Sequence, residues 1–391
     1  MYKVRTFNQI ALKGLERFPR AAFEVGTEIS DPHAILLRSH VLTAEHVTPS
    51  LRAVARAGAG VNNVPVELFT ERGIVVFNTP GANANSVKEL VLAALLLSAR
   101  DVLGGLRYVA SVQDVADPAE LNRRVETEKK RFQGEEIYGK TLGVVGLGAI
   151  GALVAEAGLR LGMHVLGYDP AISVDAAWRL PSDVQRMENL PTLFARSDYV
   201  TLHVPLLDQT RSMINEESLK SFRPSTVLLN FARQEIVDEA ALSRALSAGR
   251  LARYFSDFPS PMLAQLPNVA ATPHLGASTA EAEENCAVMA ADQLIDFLRN
   301  GNIRNSVNFP TVSLERTEGV RLAVTNRNVP KMLGQILSVL ANRNINVIDM
   351  INKSRGDVAY NLIDVAAPVP TELFSEIGRI ESVMNVRVFD H

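Results

Sequence analysis

The spacing of apolar runs predicts an α/β protein made mostly of parallel sheet, with a smaller β-α-β-β-α-β unit toward its C-terminal end. Three observations predict it. From Thr141 six short apolar runs, TLGVVG, HVLGYD, DYVTLHV, STVLLN, RYFSD and NVAAT, alternate with helical segments, which requires parallel strands joined by right-handed crossovers. Residues 2–78 repeat the alternation, as in AILLR at 34–38 and IVVFN at 74–78. After residue 318 the order becomes GVRLAVT, VPKMLGQILSVLANR, INVIDMINK, VAYNLIDVA, PTELFSEIGRI and NVRVFDH, which is strand, helix, two strands, helix and strand. That order is ferredoxin-like.

At 391 residues the chain exceeds one ordinary core, so two or three domains are expected. SVKELVLAALLLSAR reads as a long helix opened by a capping box of Ser86 and Glu89. Residues 117–137 are charge-dense and read as a solvated loop or helix. STAEAEENCAVMAADQLIDFLRNG reads as a helix with Ala287, Ala291, Leu294 and Leu298 on its apolar face. The polar stretch that follows carries Pro310, and a linker is expected over 309–318.

Composition narrows the function. A net charge of −3 supplies no field to attract nucleic acid or an anionic membrane, so neither is an expected partner. MYKVRTFNQI has no long apolar region behind its charges, so no secretory signal is expected, and LVLAALLLSAR is too short to span a bilayer. The single cysteine, Cys286, excludes an intramolecular disulfide, fits a reducing cytoplasm and reads as a packing residue. No His, Cys, Asp or Glu cluster has metal-ligand spacing, so no metal is expected.

VVGLGAIG at 144–151 places Gly146, Gly148 and Gly151 in G-x-G-x-x-G spacing between a strand and a helix. The first glycine allows the tight turn, the second lets backbone approach a pyrophosphate, and the third brings helix and strand together. Asp169 ends the next apolar run, where a carboxylate would bind a ribose 2′-hydroxyl and repel a 2′-phosphate. PAISVD after it offers no arginine, so the expected cofactor is NAD rather than NADP. STVLLN and NVAAT deliver Arg233 and His274 to the carboxyl ends of strands, where open parallel sheets bind ligands. Either residue alone reads as an ordinary loop side chain. Together beside a nucleotide motif they suggest a carboxylate grip and a proton acceptor for hydride chemistry.

These stretches resemble the D-isomer-specific 2-hydroxyacid dehydrogenases, and within them the 3-phosphoglycerate dehydrogenases with a C-terminal ACT domain. The resemblance rests on ARAGAGVNNV (55–64), NTPGANANSVKEL (78–90), GKTLGVVGLGAIG (139–151), HVPLLDQTRSMIN (203–215), NFARQEIVDE (230–239) and TPHLGAST (272–279). It implies two Rossmann-like, doubly wound domains. The substrate-binding domain would comprise 1–93 and 276–308, the NAD-binding domain 94–275 and the regulatory ACT domain 319–391, with substrate in the cleft between the first two. By position Arg233 would bind the substrate carboxylate and His274 would be the acid/base. Ala59 and Gly60 would offer N–H groups to the carboxylate, Arg38 and Ser39 would meet the phosphoryl group, and Asn78 would touch substrate. Ile150, Gly151 and Asp169 would line the NAD site, joined by His203 beside the adenosine and by Phe231 to Arg233. Asp257, His274 and Gly276 would complete it.

The implied reaction is oxidation of 3-phosphoglycerate to 3-phosphohydroxypyruvate. The alternatives are a sister dehydrogenase for glycerate or hydroxypyruvate and an NAD(H)-sensing binding protein. A homodimer or homotetramer is the expected assembly.

The chain departs from the family pattern in three places. The family writes D-V-F-x-x-E-P before the histidine strand, with the glutamate orienting the imidazole; here Asp257-Phe258-Pro259-Ser260-Pro261 has none. Asp257 is the nearest replacement, weighed against the absence of any orienting acid; Glu281, Glu283 and Glu284 read more simply as helix N-terminal charges. Gln234 stands where glycine commonly follows the arginine. In the C-terminal unit Asn326, Asn328 and Asn346 occupy the places where related domains bind an amino-acid effector, but Lys331 replaces the glycine usual after Pro330. A pure dimerisation module is the alternative for that unit.

Overall fold

The computed structural model describes residues 1–366 and 368–389; the last two residues of the predicted NVRVFDH strand lie outside them. The first five strands are β1 (Tyr2–Phe7), β2 (Phe23–Gly26), β3 (Ala34–Leu37), β4 (Ala53–Arg56) and β5 (Val75–Phe77). They form a parallel sheet in the order β2-β1-β3-β4-β5. In β3 the period of two is explicit. Ala34 and Leu36 enter one core, Ile35 and Leu37 the other, so the strand is buried on both faces. Each such fully buried leucine or isoleucine contributes roughly 1.5–3 kcal/mol.

The second sheet comprises β6 (Thr141–Val145), β7 (His164–Tyr168), β8 (Gln185–Arg186), β9 (Tyr199–Leu202), β10 (Val227–Asn230), β11 (Arg253–Ser256) and β12 (Val269–Ala271). All are parallel, in the order β12-β11-β10-β9-β6-β7-β8. The six predicted runs are six of these strands. The seventh, β8, is two exposed polar residues and carries no apolar signal. The strand order reverses between β6 and β9, and the crevice beyond that switch point is where ligands of such sheets bind.

The last sheet, β13 (Val320–Arg327), β14 (Val347–Arg355), β15 (Val358–Val365) and β16 (Val383–Phe389), is antiparallel in the order β14-β15-β13-β16. Helices Met332–Asn342 and Glu372–Gly378 connect its strands.

The chain divides into two compact units, Met1–Asn83 with Ala280–His391, and Ala84–Thr279. These boundaries at 83/84 and 279/280 lie near the divisions expected at 93/94 and 275/276, and the C-terminal sheet shares the first unit. The expected linker 309–318 is packed at its start. Phe309 and Val312 are fully buried, and Val312 exchanges backbone hydrogen bonds of 2.7 and 3.0 Å with Ile303.

Two buried arginines fasten the C-terminal sheet into this unit. Arg321 donates to Asp364 at 2.6 and 2.8 Å and to the carbonyls of Asn300, Leu314 and Glu315. Arg387 lies between the rings of Phe297 and Phe389, 4.5 and 4.6 Å from their centroids. It donates to the carbonyls of Phe297 and Leu298, near the C-terminus of helix Ala280–Asn300, where the dipole favours a cation.

One local expectation is corrected. The long helix begins at Ala84, two residues before the expected capping box. Ser86 is consequently inside its first turn, and its hydroxyl donates to the Gly276 carbonyl at 2.7 Å, while Glu89 accepts from Asn85. Residues 118–128 of the charge-dense stretch are helical, capped by Asp117. In helix Ala280–Asn300 the four predicted core residues are buried, as is Cys286.

Candidate active site

The glycine turn follows from β6 running into helix Ala149–Arg160. Gly146 has φ +90°, a left-handed conformation, and a Cβ there would lie 2.8 Å from the His203 carbonyl. A Cβ at Gly151 would come within 1.9 Å of the Gly146 carbonyl oxygen, so only glycine permits helix and strand to approach this closely. Gly148 is the helix N-cap and has no side chain to satisfy the first-turn N–H groups. A Cβ at this position would meet nothing within 4 Å. That is an open cradle of N–H donors at a positive helix end, and it fits a pyrophosphate.

Asp169, half-buried at the end of β7, accepts from Leu147 N at 2.8 Å and from Ala171 N at 2.9 Å. His203 donates its N–H to the Val145 carbonyl at 2.7 Å, and its ring lies 2.9 Å from Thr201 Oγ1. The residue is half-buried, but its Nδ1 is closed off from solvent and without a partner among the described residues; burial pushes its pKa down to about 3. Its ring is therefore neutral at pH 7. Ile150 sits half-buried in the helix's first turn.

At the end of β10, Phe231 and Ala232 are buried and Arg233 is half-buried with extended backbone. The fully buried Asn230 sets this turn. Its Oδ1 accepts from Ala232 N at 3.1 Å and its Nδ2 donates to the Arg233 carbonyl at 3.0 Å. The Arg233 guanidinium donates to the Ala232 carbonyl at 2.6 Å.

At the end of β12, His274 adopts φ +57°, which side chains rarely accept, and its ring is exposed. The Phe258 ring stands edge-on to it at 5.1 Å. Asp257 does not orient that ring. Its carboxylate is 2% exposed and committed to backbone and a hydroxyl: Thr272 Oγ1 and Leu275 N donate to Oδ1, and Gly276 N to Oδ2, each at 2.7 Å. The His274 ring is not among these three donors, so Asp257 holds the turn that presents His274. Among the described residues no carboxylate bonds the His274 ring. Of the helix acids, Glu283 pairs with Arg38 at 2.6 Å and Glu284 with Lys13 at 2.5 Å.

Within the first unit, Arg38 and Ser39 follow β3, Ala59 and Gly60 follow β4, and Asn78 follows β5, all at carboxyl ends of one parallel sheet. Arg56 joins these loops by donating to the carbonyls of Arg38 at 2.9 Å and Gly60 at 2.5 Å. Asn63 donates to the carbonyls of Arg38 and His40, and Asn78 to that of Ala59 at 2.6 Å. Asn8 Oδ1 accepts from the backbone N–H groups of Ser39 and His40. Sequence reading missed Arg56, Asn63, Asn8 and Asn230. Their only signal is a polar residue ending or following an apolar strand.

In the C-terminal sheet Asn326 is corrected. It is 2% exposed, its Oδ1 accepts from Asn361 at 2.8 Å and its Nδ2 donates to the Arg327 carbonyl at 2.6 Å, so its amide is spent inside the sheet. Asn328 and Asn346 are exposed. Lys331 takes φ +72° at the start of its helix, the conformation a glycine would relax into.

A doubly wound parallel sheet with an uncapped glycine turn at its switch point defines a dinucleotide-binding α/β protein. The family model "D-isomer specific 2-hydroxyacid dehydrogenase, NAD binding domain" matches residues 108–276. The chain is 33% identical to the D-3-phosphoglycerate dehydrogenase of Haemophilus influenzae over 93% of its own length and 88% of that protein's. It is 34% identical to the D-3-phosphoglycerate dehydrogenase of Methanocaldococcus jannaschii over 88% of its length, but spans only 63% of that relative. A solved 3-phosphoglycerate dehydrogenase of Entamoeba histolytica with bound NAD+ superposes with a TM-score of 0.62 at 26% identity, covering 78% of this chain and 98% of that one. The chain belongs to the D-isomer-specific 2-hydroxyacid dehydrogenase family, and its cofactor is NAD.

Proposed function

We propose that the protein oxidises 3-phospho-D-glycerate to 3-phosphohydroxypyruvate, reversibly. NAD supplies the acceptor for the hydride that leaves C2. His274 takes the hydroxyl proton on its ring, and Arg233 grips the carboxylate, with the N–H groups of Ala59 and Gly60 as further donors. Arg38 and Ser39 receive the phosphoryl group in this reading, and Asn78 contacts the substrate. Asp169 binds the ribose hydroxyls; Gly146, Gly148 and Gly151 admit the pyrophosphate. His203, Phe231, Ala232 and Gly276 border the cofactor.

The observation that carries the proposal is the delivery of Arg233 and His274 to the carboxyl ends of β10 and β12, in the sheet that bears the glycine turn. The C-terminal sheet is read as a ferredoxin-like ACT domain in a homodimer or homotetramer, with Asn346 and Asn328, whose Nδ2 also donates to the Gly356 carbonyl at 3.1 Å, as exposed amides for an amino-acid effector.

A panel of 2-oxo acids with NADH tests the activity, with Arg38→Ala as the discriminating variant. For a phosphorylated substrate KM should rise at least about tenfold, one charge-assisted contact's worth, while for an unphosphorylated one it is unaffected. Binding of NADH without turnover of any 2-oxo acid would leave a binding protein in place of a dehydrogenase.

A further inference from the structure

Two of the departures from the family pattern meet at one side chain. Gln234, in the place of a glycine beside Arg233, donates its Nε2–H to Glu239 Oε1 at 2.7 Å. Ser260, in the shortened stretch that lacks the glutamate, donates its hydroxyl to Glu239 Oε2 at 2.6 Å. We propose that Glu239 is a positioning residue of this site, whose carboxylate ties the loop bearing Arg233 to the loop bearing Phe258, the ring against His274.

Glu239 and Ser260 are each held by their surroundings. Glu239 is the first residue of helix Glu239–Ser247, anchored by its Asp238 cap, and a carboxylate is favoured at that end. Ser260 is 4% exposed and flanked by Pro259 and Pro261, whose rings fix φ and restrict the residues before them. Its carbonyl accepts from Ala264 N at 2.9 Å, and Phe258 N donates to Ser256 Oγ at 3.1 Å. A displacement of Ser260 therefore passes along a short, constrained stretch to Phe258, which meets the His274 ring edge-on at 5.1 Å. On the other side Gln234 adjoins Arg233, whose carbonyl Asn230 already holds. With no carboxylate among the described residues on the imidazole itself, the ring's orientation comes from packing, and Glu239 fixes the packing partner.

The inference rests on the dehydrogenase reading for its kinetic consequence but not for its structural one, so the test has two arms, both on the full chain. In the first, kcat and KM are measured for Glu239→Ala, Glu239→Gln, Ser260→Ala and the Glu239→Ala/Ser260→Ala pair, with NADH and the best 2-oxo acid. In the second, the nuclear Overhauser contact between the 13C-labelled His274 ring and Phe258 is recorded for the same proteins, with their melting temperatures.

Glu239→Ala should lower kcat by about 10- to 100-fold with KM within about threefold, the signature of misplaced rather than missing reacting groups. Its ring contact should weaken at least about twofold at a melting temperature near wild type. Glu239→Gln should recover to within about threefold of wild type, because an amide can accept from Gln234 and donate to Ser260. Ser260→Ala should fall between, and add nothing on the Glu239→Ala background. An intact ring contact in Glu239→Ala, or a kcat loss that merely tracks a loss of folded protein, overturns the proposal. If wild type turns over no 2-oxo acid, the dehydrogenase reading fails by itself. The ring contact then decides the clamp alone, upholding it if weakened in Glu239→Ala and overturning it if intact.

Discussion

Asp169 and Asp257 stand at comparable places in one sheet, each at or just past the end of a strand with its carboxylate turned toward a neighbouring loop. Asp169 is half-buried and takes one backbone N–H on each oxygen. Asp257 is buried and takes three donors. A carboxylate can accept about four hydrogen bonds, so Asp169 keeps capacity and exposure for a ligand while Asp257 is consumed as scaffold. The same residue type becomes a binding group or a structural hub according to how many donors the surrounding turn aims at it. The turns differ correspondingly: the glycine turn leaves N–H groups open at Gly148, whereas the histidine turn spends its N–H groups on Asp257 to hold His274 at positive φ.

The comparison can be broken at several points. The largest effect is expected from the side chain the second turn presents. His274→Ala should cut kcat by about 10³-fold while NADH affinity stays within about threefold, measured by steady-state kinetics and fluorescence titration. Normal turnover in this variant would remove the histidine from the reaction.

Next is the pair of aspartates. Asp257→Ala strands buried N–H donors and should cost roughly 3 kcal/mol of stability in chemical denaturation. Asp169→Ala should cost about 1 kcal/mol or less, yet weaken NADH about tenfold and relax discrimination against NADPH. Equal stability losses would erase the distinction between ligand and scaffold.

A third prediction concerns the histidine under the glycine turn. His203 has a folded-state pKa of about 3 because burial opposes its cation, against about 6.5 in the unfolded chain. The unfolded state thus binds the extra proton first, so this residue's contribution is complete above about pH 6.5 and is lost as pH falls from there toward about 3. Between pH 7.5 and 4.5 wild type should lose about 2 kcal/mol more stability than His203→Gln. Parallel pH curves would mean the ring is solvated.

The smallest effect is expected at Gly148, and its contrast with Gly151 separates the glycines. Gly148→Ala should change stability by less than about 1 kcal/mol while weakening NADH, since its Cβ meets only the open cradle. Gly151→Ala, with its Cβ driven against the Gly146 carbonyl, should fold poorly.

Much of this was legible in the chain. The strands of the second sheet could be read because a strand covered on both faces must be apolar throughout, and the glycine spacing because no other residue survives at Gly146 and Gly151. The delivery of Arg233 and His274 to strand ends follows from the same alternation. β8 was not legible, being too short and polar, nor was the start of the Ala84 helix, where Ser86 bonds a carbonyl 190 residues away.

The local pattern of the sequence determined the strands, the crossovers and the cofactor turn, because periodicity and backbone sterics act over a few residues. The tertiary structure decided what each polar group is for. It spent Asp257 and Asn326 on neighbouring backbone and side chains, packed Phe309 and Val312 into a core and brought Gln234 and Ser260 to Glu239. A hydrogen bond is fixed by three-dimensional proximity and by which competing donors reach an acceptor in good geometry, and the order of residues along the chain does not encode that locally.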